Sequence, residues 1–591
     1  MNNSLFGKMQ SVLMSQSDIK DICDTLKRGY YPLAVSGLSS IHKAQLALII
    51  STLSEESAPL LIITDDEAGA KRICDDINEM YAVSRNETAA YIYPAKDITL
   101  ARVESVSKEY EYQRLCVLAR LIDGSCKIVC ASAEAVMQRT IPPDVLADRT
   151  IKLSRDTSVQ LPDLISRLIA AGYTRCDKVE SPSQFSVRGS IADIFPVQEK
   201  MPVRMELWDD EIDSFAYFDP ETQRRTEQID ELIIPPAGEV LFNSADALVQ
   251  KINALSAGVR GKRTELVRSN LAKDADNVSN GVSLANIDKY LPLAYDKPAL
   301  IFDYLKPDSP VLFCEFHSCC EKAKAIQSQF NEDVKILLEE GELCRGLDGY
   351  IAEFESISET AVKFPCVLMD TFLRTNDIRC KKLWTMTAYQ TAPWGGEIRQ
   401  LSEDLRSFID RNYSVIVLAG SEKTLPIIAE DLRNDGIPCD IMTEETTLTK
   451  GRVLITTGCL SSGYDYPDIK TALITQAKAM SSKRKLKKKK KGEEIKSLAD
   501  IAPGDLVVHA LHGIGRFEGI RKLELEGITK DYITIKYAGT DVLYVPVTQM
   551  DLISRYIGPR DDTGVKLNKL SSNEWQKTRS RVKKAVKDMA D

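Results

Sequence analysis

The 591-residue chain has only four histidines, His42, His317, His509 and His512, and four tryptophans. It contains no C-x-x-C pair and no G-x-S-x-G. These absences leave no candidate zinc ribbon, thioredoxin-like centre or serine-hydrolase elbow. No apolar run reaches the ~18–20 residues that a membrane-spanning helix needs. Residues Met1 to Gln16 are polar and lack the charged-then-apolar layout of a secretory signal, so a cytoplasmic protein without membrane contact is expected. A basic surface field is missing as well. The chain has 77 lysines and arginines against 86 acids, a net charge of −9, so any nucleic-acid contact would come from a local patch. The tightest metal-like cluster is Cys314, Cys319 and Cys320 with His317. It has no second half, and the fourteen cysteines read as buried and reduced.

What is present is a multidomain α/β pattern of three to five domains. Leu33-Ala34-Val35, Leu60 to Ile63, Tyr91-Ile92-Tyr93 and Lys127-Ile128-Val129 read as strands separated by helices, which predicts a parallel sheet covered on both faces. We assign this domain to residues 1–135 and 203–350, with an α+β insert at 136–202. A second α/β domain is expected at 351–478. A basic linker follows at 479–500, where eight of the nine residues from Lys483 to Lys491 are cationic. Short apolar runs punctuated by glycine at 501–558 predict a small antiparallel barrel. Residues 559–591 read as a linker and a basic helix that runs to the end of the chain without a capping signal, as if a further domain followed.

A phosphate-binding loop is expected after the first strand of such a sheet. The sequence there is Gly37-Leu38-Ser39-Ser40-Ile41-His42-Lys43-Ala44. Against G-x-x-x-x-G-K-[ST], Gly37 and Lys43 fit. His42 replaces the second glycine and Ala44 the magnesium-binding hydroxyl. A metal-binding aspartate should end a later strand, but Val311-Leu312-Phe313 runs into Cys314 and Glu315. We read Gly37, Lys43 and Glu315 as a degenerate nucleotide site. No catalytic residue, cofactor or metal is assigned, and no ATPase is expected of this chain.

The stretch Phe185-Ser186-Val187-Arg188-Gly189-Ser190-Ile191-Ala192-Asp193-Ile194-Phe195-Pro196 resembles a signature shared by the excision-repair protein UvrB and the transcription-repair coupling factor (Mfd) family. Gly504 to His509, His512 to Gly515, Asp541 to Val547 and Leu552 to Tyr556 resemble the CarD-like, Tudor-type module with which that family binds RNA polymerase. Tyr93-Pro94-Ala95-Lys96-Asp97 fits the coupling factors too. The order matches the N-terminal half of that family over essentially the whole chain. The resemblance implies a degenerate RecA-like domain, docking to the RNA polymerase β subunit, recruitment of UvrA, and an ATP- and magnesium-dependent motor on double-stranded DNA lying outside these residues. It puts UvrA contacts at Arg175, Phe185 and Arg188 and polymerase contacts at Arg521 and Leu523, by addition of a strand to a sheet edge. Two alternatives remain, a UvrB-like helicase and a CarD-like transcription regulator.

Overall fold

The computed structural model describes residues 5–53, 58–81, 88–103, 106–261, 263–282, 284–374, 377–443, 446–476, 493–494, 503–509, 512–525, 528–539, 541–546 and 553–555. The lysine run at 483–491 and the basic helix expected at 572–591 lie outside the described residues.

The first domain is built on a seven-stranded parallel sheet. Its strands lie in the order Lys382–Thr385, Leu33–Ser36, Cys366–Asp370, Val311–Cys314, Leu60–Thr64, Ile128–Ser132 and Ala90–Tyr93. The strand sequences are almost wholly apolar because helices cover both faces. Leu61, Ile63, Val129, Phe313 and Leu368 point into one core. Leu33, Val35, Ile62, Ile128 and Met369 point into the other.

The insert is longer than the sequence suggests. Its six-stranded sheet runs Arg225–Ile229, Glu211–Phe218, Val203–Trp208, Ile191–Ile194, Gln184–Arg188, Thr174–Arg175. Val203–Trp208 pairs with Ile191–Ile194 and therefore belongs to the insert, not to the host domain. A two-stranded neck, Ile151–Ser154 with Glu231–Ile234, closes the excursion. One sheet face packs under the amphipathic helix Leu161–Ala170, around Phe185, Ile194, Met205 and Phe215.

The second α/β domain starts later than 351. Cys366–Asp370 and Lys382–Thr385 flank Leu33–Ser36 in the first sheet. The second sheet begins at Tyr389–Thr391 and has the order Tyr389–Thr391, Gly463–Tyr466, Thr471–Thr475, Ser414–Leu418, Val453–Thr456, Cys439–Ile441. Val415 and Val417 face its own helices, Ile398–Asp410 and Leu425–Asn434. Ile416, Leu418, Leu454 and Leu473 face the other way, into the first domain's core. The two domains thus share one apolar interior.

The last sheet is antiparallel, in the order Glu493–Glu494, Ile553–Arg555, Leu506–His509, Gly513–Leu525, Ile528–Lys536, Val542–Pro546. Among the described residues its first and last strands, Glu493–Glu494 and Val542–Pro546, are not paired with each other. Val507, Phe517, Ile533, Leu543 and Ile553 form its core. No helix among the described residues is long and apolar enough to cross a membrane.

Candidate docking surfaces and a closed nucleotide loop

The fold brings Gly37, Lys43 and Glu315 together. Gly37 follows the strand Leu33–Ser36 with φ +84°, in the left-handed region that glycine tolerates. A Cβ at this position would lie 2.1 Å from the carbonyl oxygen of Met386. The space a phosphate would need beside the loop is therefore filled by the chain's own backbone, held there by a hydrogen bond from Met386 N to Ser36 O (2.9 Å). Lys43 is buried and ion-paired to Glu315. Glu315 also accepts hydrogen bonds from the backbone N–H (2.9 Å) and hydroxyl of Thr371. Burial works to raise the Glu315 carboxyl, but Lys43 and Thr371 outweigh it and hold it below the usual range. The lysine that would meet phosphate is thus neutralised inside the fold. These residues do not fit a bound nucleoside triphosphate.

His42 has become part of the domain interface. Its Nδ1 accepts from Ser39 N (3.3 Å) and lies 2.8 Å from Ser39 Oγ, closing the first turn of the helix Ser40–Ser51. Accepting at Nδ1 places the neutral ring's proton on Nε2. The ring meets Tyr466 edge-on at 5.0 Å and Tyr464 at 6.3 Å, both from the second domain. Tyr466 in turn donates to Gln45 Oε1 (2.7 Å). The segment Thr457 to Pro467 is used in the same seam. Ser461 N donates to Asp76 (2.7 Å) and Cys459 N to Glu79 (3.0 Å).

Burial first, and then the Lys43 charge, push the His42 imidazole down to about 4 from 6.5. A depressed folded-state value means that the unfolded chain binds more protons in this window. The stability is complete above pH 6.5 and falls as pH drops toward 4, by up to about 3 kcal/mol. His42→Asn, which keeps an acceptor for Ser39 but cannot titrate, is expected to flatten this loss in urea titrations between pH 7 and 4. His509, pushed down to about 3 by burial in the last sheet, makes the comparison with wild type necessary. Parallel pH profiles for the two proteins would reject the assignment.

A buried ionic cluster joins the insert to its host. Sequence reading did not single it out, although Lys96 lies in the Tyr93–Asp97 stretch noted above. Arg114, on the helix Glu109–Asp123, donates from Nε to Glu239 (2.6 Å) and from Nη1 to Pro94 O (3.0 Å) and Gln138 (3.1 Å). Its guanidinium stacks 4.2 Å from the Tyr93 ring centre. Lys96 reaches Asp288 (2.8 Å), Glu239 (3.1 Å) and Glu111 (3.6 Å). Glu111 accepts from Glu239 N (2.8 Å). Glu239 comes just after the neck strand Glu231–Ile234, so the cluster sets where the insert attaches.

On the insert the three sequence candidates separate. Phe185 is fully buried in the insert core and is no surface anchor. Arg175 and Arg188 are both exposed. Arg175 is in register with Phe185 on the neighbouring parallel strand, whereas Arg188 is an odd number of residues beyond Phe185. Register therefore puts the arginines on opposite faces. Arg188 lies on the face away from the core and donates to Asp177 O.

In the last sheet, Gly513–Leu525 pairs along its length with Ile528–Lys536. On its other side it pairs with Leu506–His509 only through residues 513–516. Phe517 is tied back by Gly504 and Asp505 (2.7 and 2.8 Å). From 518 to 525 that side has no strand beside it among the described residues. Arg521 is exposed and ion-pairs with Glu518 (3.4 Å). Leu523 is in register with Lys530 within the same span. Tyr532, in register with Arg521, touches Asp97 of the first domain (3.3 Å).

Two modules define the class of protein. Residues 151–239 match the UvrB interaction domain, and residues 501–557 match the CarD-like/TRCF RID domain. Homologues named transcription-repair-coupling factor run along nearly the entire chain. That of Bacillus subtilis is 29% identical over 99% of this chain and 50% of its own length. Those of Staphylococcus haemolyticus and Staphylococcus aureus are 26% and 27% identical over 95% and 94% of this chain and 48% of theirs. The chain spans about half the length of the curated relatives it matches. The matched insert, at 151–239, also moves the boundary expected at 136–202.

Proposed function

We propose that this chain supplies the docking half of a transcription-coupled repair factor. In this reading the RecA-like domain and its insert recruit UvrA, and the CarD-like module, closing into a Tudor-type barrel, binds the β subunit of RNA polymerase stalled at a lesion. The observation that carries it is the joint presence of the two matched modules in one chain whose homologues are coupling factors. Polymerase binding uses the open side at 518–525. Backbone hydrogen bonds from an added strand supply affinity there, and alternate side chains, Arg521 and Leu523 among them, supply specificity. UvrA binding uses exposed arginine, whose planar fork suits carboxylates. The segment itself turns over no ATP. The whole protein is an ATP- and magnesium-dependent translocase on double-stranded DNA that releases the polymerase, and it works in the cytoplasm.

A pull-down with purified UvrA and polymerase β subunit tests the proposal. Capture of both supports it. Capture of UvrA alone favours the UvrB-like alternative, and capture of β alone favours a CarD-like regulator. Leu523→Arg is expected to abolish β capture while leaving UvrA capture intact. A folded Leu523→Arg protein that still captures β would reject the assigned edge. Magnesium-dependent ATP turnover by the purified chain would reject the inactive site.

A further inference from the structure

Among the described residues, Trp208 is the most exposed large apolar side chain, at 81%. It ends the strand Val203–Trp208, and the turn Asp209-Asp210 leads back into Glu211–Phe218. The exposure is not fraying at a loose tip. Trp208 is in register with Glu211, and the turn is tied down by Val159 N donating to Asp210 O (2.7 Å). Leu207 N donates to Ser190 O (2.9 Å), which sets this strand end against the Arg188-Gly189-Ser190 turn of the F-x-V-R-G stretch.

Register fixes which face these residues share. Val203, Met205 and Leu207 point into the insert core, so Arg204, Glu206 and Trp208 point away from it. Arg188 pairs with Ile191, and Ile191 pairs with Glu206. Arg188 is thus two strands over from Glu206, and Trp208 is two residues along. The separation is roughly 12 Å at ordinary strand spacings. The other arginines of this face are already neutralised. Arg204 is bidentate to Asp193 (2.7 and 2.8 Å) and Arg225 pairs with Glu206. Arg188 reaches only a backbone carbonyl among the contacts the structure gives.

We infer that Trp208 and Arg188 form one contact patch, with Trp208 as the aromatic anchor that Phe185 cannot be. The partner chemistry that fits is a protein surface with an apolar socket for the indole and a carboxylate about 12 Å away for the Arg188 guanidinium. The inference rests on the reading of the insert as the UvrA-docking module and commits to UvrA as the occupant. Arg175, on the opposite face, lies outside the patch.

The test titrates the full chain and its variants with purified UvrA. Trp208→Ala is expected to weaken binding by roughly tenfold or more, as truncating a central tryptophan does, and Arg188→Ala by a similar factor. Arg175→Ala is expected to stay within about twofold, outside the range that marks a central contact. Circular dichroism checks that the variants fold. A second readout uses a protein whose other three tryptophans, Trp384, Trp394 and Trp575, are changed to phenylalanine, leaving Trp208 as the sole emitter. Its emission should start at the red edge typical of solvated indole and shift to the blue when UvrA is added. Wild-type affinity for Trp208→Ala, or an unmoved emission from a saturated complex, overturns the patch and leaves the function standing. No binding of UvrA by the wild-type chain overturns the function and the patch with it.

Discussion

Arg114→Ala is expected to lower the stability of the first domain by about 3–5 kcal/mol, the cost of stripping one partner from a buried ion pair. Arg114 and Glu239 expose 0% and 1% of their side chains, so neither charge can turn to water when the other is lost. The wild-type cluster sets Lys96 and Arg114 against Glu111, Glu239 and Asp288, with Lys108 at its edge also acting on Glu111 and Asp288. Burial already pushes the Asp288 carboxyl up, with Lys96 opposing it. Removing the guanidinium leaves three carboxylates against the Lys96 and Lys108 ammonium groups, an excess of buried negative charge that favours a proton on one of them. A carboxyl raised in the folded state gives stability that is full at low pH and lost as pH rises through its folded value. The Arg114→Ala deficit should therefore be larger at pH 8 than at pH 5, the reverse of the His42 trend. Urea unfolding at the two pH values measures both. A loss below about 1 kcal/mol at pH 8, the size of an exposed pair, would sink the account.

The second large effect concerns rebuilding the phosphate loop. The variant His42→Gly with Ala44→Thr restores G-x-x-x-x-G-K-T in sequence. It is expected to bind no ATP and to lose about 3–5 kcal/mol, the scale of a large-to-small change in a core plus about 1 kcal/mol for glycine in a helix. The imidazole that it removes packs against Tyr464 and Tyr466, and the Met386 carbonyl still closes the cradle at Gly37. Lys43 still has Glu315. Thermal unfolding with and without a fluorescent ATP analogue and magnesium checks this. Saturable nucleotide binding by the variant would mean that the loop, and not its surroundings, was the obstacle.

These two sites show what could be read from residues in order. The loss of the second glycine and of the hydroxyl is visible at His42 and Ala44. The agent that fills the vacated space is not, because Met386, Tyr464 and Tyr466 lie hundreds of residues downstream. The strands Leu33–Ser36 and Leu60–Thr64 carry local signals, and both stand where their apolar runs placed them. The boundaries at 202 and 350 are missed for a shared reason. Strand membership is decided by pairing partners, and both Val203–Trp208 and Cys366–Asp370 join a sheet whose other strands lie on the far side of the boundary drawn. Phe185 and Arg188 are neighbours in a motif. Only the register reveals that one faces the core and the other solvent. The cluster around Arg114 gives no linear signal beyond the Tyr93–Asp97 stretch that holds Lys96, since Glu111, Glu239 and Asp288 are charged residues of ordinary appearance in separate stretches.

The strand Leu33–Ser36 lies between Cys366–Asp370 and Lys382–Thr385, strands that follow it by more than three hundred residues. On a ribosome working at about 5–20 residues per second, it waits roughly 20–70 s for either neighbour to be made. The insert, whose strands are contiguous in the chain, can be complete well before then. Synthesis therefore presents a finished insert on an unfinished host, with one apolar strand of that host unpaired in the nascent chain. The period before residue 385 emerges is when this protein has the most to gain from a chaperone.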